Sequence, residues 1–467
     1  MLFTEYRFLL FFVLVFVLHW SLSGERARKL LLLGGSWLFY AGWEPKFLGL
    51  IIATTVVDYL IGGRIAASTE QPRRLRWLWL SIAWNLGMLG FFKYCNFFID
   101  SGQVFLGWLG LHTSVSSLNI ILPAGISFFT FQSMSYSIDI YRKQIQPTRS
   151  FLDFATFIAF FPQLFAGPIV RAADFLPQLE TRRRLADVAA RSCLVMFLIG
   201  FIKKAVFADN LAPVADAYFA APAAASTLGA WTGILAYAGQ IYCDFSGYSD
   251  MAIACAGLLG YRFCQNFAAP YLSLNITDFW RRWHMSLSSW LRDYLYIPLG
   301  GNRGGTVSTY RNLMATMVLG GLWHGAAWTF IVWGFLHGLA LIVHKEWTKA
   351  RSRLKLPAMP APVALALTFW WVCLAWIFFR ATSFSDALVA TRAWVLLDSP
   401  GAAPVGIACL VVLAVLALLH AVHRGERLTA WSERVPGWAF APAYGVVFAC
   451  ALAWVPTRYQ AFIYFQF

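Results

Sequence analysis

The sequence predicts an all-α polytopic membrane protein, and three observations carry that prediction. Of 467 residues 59% are hydrophobic and 13% charged, with a mean hydropathy of +0.61; the charged share is about half that of a soluble domain. The apolar residues run in blocks of roughly 15 to 30, long enough for helices to cross a bilayer, without the ten-residue alternation of an outer-membrane barrel. The basic residues gather in short loops at 26–29, 64–76, 142–149, 171–191, 262–311, 345–355 and 424–434. Loops on the other side, such as DSGQVFLGWLGLHTSVSS and DNLAPVADAYFAAPAAASTLG, carry no Lys or Arg. This is the charge asymmetry that orients cytoplasmic loops, so the net charge of +15 reads as topology and excludes nucleic-acid binding as the main function.

The elements follow in order. The first segment, MLFTEYRFLLFFVLVFVLHW, lacks a basic n-region and a small-residue cleavage site, and Arg26, Arg28 and Lys29 follow it; it reads as a retained helix whose N-terminus faces away from the cytoplasm. Residues 30–61 cross twice around the turn WEP, residues 77–98 cross outward and residues 118–138 return. The block FLDFATFIAFFPQLFAGPIV, 151–170, has basic loops at both ends and is interrupted by Pro162, Gly167 and Pro168. It reads as re-entrant, because broken backbone at membrane depth is tolerated only where protein or a cavity covers it. Further spans are expected near 192–208, 230–258, 362–380, 405–422 and 437–455. The total is about eleven crossings in a single domain, 1–467, with a motif-rich core at about 150–345 and no internal repeat.

The block 312–344 contains GGLWHGAAWTF. At about 33 residues, or roughly 50 Å of helix, it is too long for one crossing and too short for two with a loop. Both flanks are basic, so a hairpin turning near HGAA is expected, with His324 roughly 20 Å in from Arg311. An ionisable side chain at that depth is a functional candidate by default. The alternative is a neutral histidine donating to a backbone carbonyl beside Trp323 and Trp328. Gly320, Gly321, Gly325 and Ala326 leave room for a substrate or a close helix, and a neutral imidazole is suited to take the proton of a hydroxyl attacking an acyl group.

In NITDFWRRWHMSLSSWLRDYLYIPLGGNRGG, 275–305, the residues Trp280, Trp283, Leu287, Trp290, Leu291 and Tyr294 fall at helical spacing beside Arg281, Arg282 and Arg292. They predict one basic amphipathic helix in the cytoplasmic interface, with His284 near its edge and less buried than His324. The helix is either an anchor with an incidental histidine or a surface for the phosphates of coenzyme A or an acidic carrier protein. Asp244 and Asp250, in GQIYCDFSGYSDMAIACAG, are expected to pair with arginines, to orient polar groups, or to titrate in a proton path. The eight cysteines show no CxxC or metal-ligand spacing and read as small core residues, and no metal is expected. Of the other histidines, 19, 112, 344, 420 and 423 mark helix ends or loops. His337 shares the hairpin with His324, but thirteen residues on it is not expected on the same face.

FFPQLFAGPIVR, YCDFSGYSDMAI, FWRRWHMSLSSWLRDYLYIPLGGNR, LWHGAAWTFIVWGFLHG and the terminal FIYFQF together resemble the membrane-bound O-acyltransferase (MBOAT) family, in the bacterial branch serving alginate O-acetylation. The resemblance runs over the whole chain. It implies a funnel or tunnel through a thinned membrane core, an essential histidine in the WHG motif and a second in FWRRWH, here His324 and His284. It implies an acyl thioester donor in the cytoplasm, an acceptor outside, and a periplasmic acyltransferase partner delivering to a polysaccharide. The expected function is therefore O-acyl transfer, acetyl in the first instance, from acetyl-CoA as substrate with no tightly bound cofactor, across a bacterial inner membrane for an exopolysaccharide such as alginate or cellulose. His324 is the expected general base, and His284 positions the donor or assists proton transfer. Trp323, Arg281, Arg282, Asn302 and Asp244 are the expected substrate-binding residues. Two other classes stay open: a proton-coupled transporter using His324, Asp244 and Asp250 as a relay, and a scaffold for a periplasmic acyltransferase.

Overall fold

Apolar blocks broken by Pro, Gly and basic turns fold into helices throughout. The computed structural model describes residues 3–111, 116–165, 167–403, 407–422, 425–456 and 462–463. His112, His423 and Tyr464–Phe467 of the FIYFQF motif lie outside them. Apart from one isolated bridge between Ala225 and Ala403, the described residues hold no β-structure. They divide into two units, 1–190 with 252–264 and 191–251 with 265–467.

The first unit contains α1 (Tyr6–Ser21), α2 (Glu25–Ala41), α3 (Leu48–Ala67), α4 (Gln71–Leu89), α5 (Cys95–Trp108), α6 (Ile126–Tyr141), α7 (Phe151–Ala159), α8 (Phe161–Leu164) and α9 (Ala172–Glu180). Its interior is aromatic: Phe161 lies 5.2 Å from Phe11 and 5.6 Å from Phe39, and Phe39 lies 5.0 Å from Phe165. The 151–170 block is broken as its prolines predict. Phe160 turns the chain between α7 and α8 (φ −55°, ψ 112°), and the block is buried from Asp153 onward among its described residues. The freed backbone groups find protein partners: Phe161 N–H donates to Ser36 Oγ at 3.0 Å, and Gln163 Nε2 donates to the Phe157 carbonyl at 2.6 Å. That is the condition under which broken backbone persists away from water. Asp58 on α3 is buried and accepts from Ser81, Asn85 and Ser133 at 2.5–2.8 Å, so its carboxylate is solvated by hydroxyls and an amide.

The second unit contains α10 (Ala190–Phe201), α11 (Asp209–Ala220), most of α12 (Thr227–Leu258), α13 (Ile276–Arg282), α14 (Met285–Leu291), α15 (Gly305–His324), α16 (Trp328–Leu354), α17 (Ala361–Arg380), α18 (Phe384–Leu396), α19 (Ile407–Val422), α20 (Gly425–Ser432) and α21 (Gly437–Leu452). The expected hairpin turns at residues 325–327, directly after His324, but its arms α15 and α16 extend beyond the expected block 312–344 at both ends, and α16 is by itself long and apolar enough to cross a membrane, which corrects the length argument for the block. The two helices touch at backbone level: a Cβ on Gly334 would lie 2.3 Å from the Met317 carbonyl oxygen, and one on Gly321 would lie 2.2 Å from that of Phe330. Backbone cannot retreat as a flexible side chain can. Gly334→Ala is therefore expected to destabilise the protein by about 1–3 kcal/mol, the usual cost of overpacking, seen as a lower thermal midpoint in detergent. Gly34→Ala, with open space around its Cβ, serves as the neutral control.

The single helix expected over 275–305 is corrected. The chain breaks at Trp283–His284, with His284 at φ +43° and ψ 54°, and resumes as α14 followed by a π-helical turn, Arg292–Tyr296. Its aromatic row faces protein: Trp283, Leu287, Trp290, Leu291 and Tyr294 are all buried. From Trp283 onward the row is thus core, and Arg281 and Arg292 are exposed beside it.

Among the described residues three helical segments are long and apolar enough to cross a membrane: Pro45–Ala67, Trp328–Leu354 and Ala361–Arg380. Tyr6–Ser21, Cys409–His420 and Gly437–Leu452 are shorter apolar helices.

Candidate active site

His324 ends α15 and is 3% exposed. Aromatic rings surround it: Trp323 and Trp333 each at 5.0 Å and Phe379 at 5.3 Å between ring centroids. Trp333 takes the place expected for Trp328, which opens α16 and is 53% exposed. The second histidine is 6.4 Å from the first. His284 is fully buried, which corrects the expectation that it is the less buried of the two. It lies inside because the left-handed turn at its own position carries the ring off the helix line and into the aromatic cluster, 4.6 Å from Phe245 and 6.2 Å from Trp323.

Two backbone hydrogen bonds clamp that turn from one neighbouring segment: Ala268 N–H to the Arg282 carbonyl at 2.9 Å, and Met285 N–H to the Asn266 carbonyl at 2.9 Å. The Asn266 side chain then fixes the ring. Its Oδ1 accepts from the Ser286 N–H at 3.2 Å and from Ser286 Oγ at 2.9 Å, while its Nδ2 donates to Ser249 Oγ at 3.1 Å. An oxygen that receives a backbone N–H is an acceptor, so His284 Nδ1, 3.1 Å from the same Oδ1, carries the proton in the neutral ring and the basic lone pair sits on Nε2. Asn266, which the sequence did not single out, therefore fixes the orientation and tautomer of the His284 ring. If His284 serves the reaction, Asn266→Ala is expected to lower kcat by about tenfold with little change in donor KM, by analogy with partners that orient metal-bound histidines. Steady-state kinetics checks the split.

The remaining expected site residues distribute as follows. Trp323 joins both histidines. Arg282 is committed to Asp278 at 2.9 Å and to the Ala268 carbonyl, while Arg281 is exposed. Asn302, exposed in the turn before α15, accepts from Tyr296 Oη at 2.6 Å and from Lys345 Nζ at 3.1 Å. Asp244 pairs with a lysine, correcting the arginine partners expected: Lys204 Nζ is 2.9 Å from Asp244 and 2.7 Å from Asp209, and Lys203 is 2.7 Å from Asp250. Asp244 adjoins the site through Phe245, which follows it in sequence, and its Oδ2 accepts the Ile463 N–H at 2.8 Å. His337 is brought close as well: fully buried, it lies 4.7 Å from Trp333. A cavity of about 490 Å³ in the first unit, lined by Arg149, Asp153 and Glu180 among others, contains neither site histidine.

A buried pair of histidines among aromatic rings can move a proton in surroundings that exclude water, which suits group transfer to a hydroxyl better than hydrolysis. Residues 141–387 match MBOAT, the membrane-bound O-acyltransferase family. The chain is 48% identical to the "Probable alginate O-acetylase AlgI" of Azotobacter vinelandii over 83% of its own length and 76% of that protein's. It is 47% identical to the protein of the same name from Pseudomonas aeruginosa over 83% and 73%, and 40% identical to the peptidoglycan O-acetyltransferase of Helicobacter pylori over 79% and 73%. The match to the family covers more than half of the chain and includes both histidines and the hairpin, so this protein is an acyltransferase and belongs to the membrane-bound O-acyltransferase family.

Proposed function

We propose that the protein moves an acetyl group from a cytoplasmic thioester, acetyl-CoA, across a bacterial inner membrane for O-acetylation of an exopolysaccharide, alginate being the first candidate. The observation that carries the reading is the buried pair His324–His284 at 6.4 Å, with Asn266 holding one ring in a defined tautomer. His324 takes the proton of the acceptor hydroxyl as its oxygen attacks the thioester carbonyl; the C–S bond breaks, and the departing thiolate of coenzyme A is reprotonated. His284 orients the donor or relays that proton. The basic loops face the cytoplasm, the chain makes about eleven crossings as one domain, and a periplasmic acyltransferase completes delivery to the polymer. The relatives act on alginate and on peptidoglycan by name, so the polymer is assigned to the partner rather than to the residues around His324. The lysine partners of Asp244 and Asp250 count against the transporter relay, because both carboxylates are engaged in close ion pairs within the fold.

The test is transfer of labelled acetyl from acetyl-CoA, supplied to the cytoplasmic face of proteoliposomes, to an acceptor on the opposite face with the periplasmic partner present. Label appearing across the bilayer supports the reading. Absence of both transfer and thioester cleavage in the wild type refutes the donor.

A further inference from the structure

Along α16, Trp333, His337 and His344 are separated by four and seven residues and so share one face. That face is packed by α13: the His337 ring stacks on Phe279 (5.9 Å, 8° between planes) and meets Trp280 edge-on at 5.1 Å, and Thr277 Oγ1 lies 3.0 Å from His344 Nδ1. Trp333 touches both His324, at 5.0 Å, and His337, at 4.7 Å. Both ring nitrogens of His337 and the indole N–H groups of Trp280 and Trp333 are buried with no hydrogen-bond partner among the described residues. The neighbouring indole of Trp376 does find one, donating to Tyr271 Oη at 3.2 Å. Buried polar groups left unmade are rare and costly, and a contiguous set calls for an explanation. An indole N–H donates only, and a neutral imidazole donates once. The set offers three donors, two indole and one imidazole, against a single imidazole acceptor, and so matches a ligand rich in carbonyl oxygens.

We infer that His337, with the indoles of Trp280 and Trp333, binds the pantetheine arm of the acyl donor, receiving the carbonyl of the amide nearest the thioester. This rests on the thioester-donor reading above. Length agrees with it. From Trp333 to Lys345 is twelve residues, or roughly 18 Å of helix, and an extended phosphopantetheine arm of about fourteen bonds from phosphorus to acyl carbon reaches roughly 17 Å. With the acyl carbon at His324, the phosphate end arrives beside Lys345 and Asn302, which are 3.1 Å apart. His337, four residues from Trp333 and so roughly 6 Å along the helix, stands at the level of the first amide.

The experiment uses the full chain in proteoliposomes with acetyl-CoA as donor, comparing wild type, His337→Phe, His337→Gln and Trp280→Phe. Phe keeps the ring volume and removes the nitrogens. His337→Phe is expected to raise the KM for acetyl-CoA about tenfold, the effect of one lost hydrogen bond of about 1.4 kcal/mol, with kcat nearly unchanged. Gln restores most of the loss, and Trp280→Phe gives a smaller rise in the same direction. Wild type is also expected to prefer S-acetyl-N-acetylcysteamine, which keeps the first amide, over S-ethyl thioacetate, which lacks it, and His337→Phe to erase that preference. An unchanged KM with the preference intact, or a fall in kcat alone, overturns the inference while wild-type transfer leaves the donor reading standing. A wild type that uses no pantetheine thioester overturns both.

Discussion

Replacing His324 by alanine is expected to lower acyl transfer by about 10²–10⁴-fold, the usual contribution of a positioned general base, while donor binding persists. The prediction follows from where the residue lies. It closes α15 immediately before the turn, 3% exposed, with Trp323, Trp333 and Phe379 in ring contact. A histidine that only filled space would be replaceable by glutamine, which keeps a donor and an acceptor in similar volume, or by phenylalanine, which keeps the ring. A base is replaced by neither. The measurement is single-turnover transfer from labelled acetyl-CoA for His324→Ala, His324→Gln and His324→Phe, each checked for an unchanged elution profile. Retention of more than about a tenth of wild-type rate in the glutamine variant would leave His324 a structural residue, below what loss of a general base produces.

The companion variant at His284 needs a different choice. Its left-handed backbone (φ +43°) is disfavoured for alanine, whereas asparagine tolerates that region. His284→Asn therefore separates loss of the imidazole from strain in the turn.

The turn of the hairpin was legible in the sequence because HGAA supplies it; the length of its arms was not, for Gly305–His324 and Trp328–Leu354 run past the expected block 312–344 at both ends through the basic residues taken as its flanks. The break at 160 was legible for the equally local reason that Pro162, Gly167 and Pro168 interrupt an apolar run. The break at His284 was not. Apolar residues continue at helical spacing straight through it, and no Gly or Pro announces it; the residues that clamp it, Asn266 and Ala268, lie eighteen and sixteen positions before His284 in sequence. That His337 and His324 both meet Trp333 was not legible for a related reason. Counting faces over thirteen residues assumes one helix, but the turn at 325–327 folds the chain back and resets the count. Asp244 was recognised as a buried acid, yet its cation was sought among the arginines. Lys203 and Lys204 sit in what reads as the end of an apolar span, and only the π-helical turn Ile202–Ala208 shows how they turn inward.

That turn underlies the second large effect. The Asp209 N–H bonds the Lys204 carbonyl across five residues, the spacing of a π-turn, and the same register lets the Lys204 ammonium reach both Asp209 and Asp244. Side-chain exposure is 3% for Lys204, 2% for Asp244 and 11% for Asp209. Lys204→Met keeps the length of the side chain and removes its charge, leaving two carboxylates close together and without their cation. Loss of one partner from a buried ion pair costs about 3–5 kcal/mol, most of it the penalty of the charge left behind. Asp244→Asn should cost less, because Lys204 keeps Asp209 and the amide oxygen can still accept the Ile463 N–H. The combination of Lys204→Met with Asp209→Asn and Asp244→Asn should recover much of the loss, since no uncompensated charge remains. Thermal midpoints in detergent are therefore expected in the order Lys204→Met lowest, then the triple variant and Asp244→Asn, then wild type. If Lys204→Met melts no lower than Asp244→Asn, the triad does not hold this part of the fold. Activity should fall alongside stability in Lys204→Met, because Asp244 precedes Phe245, whose ring stands 4.6 Å from His284, and a shift of α12 at that point moves the second histidine of the site.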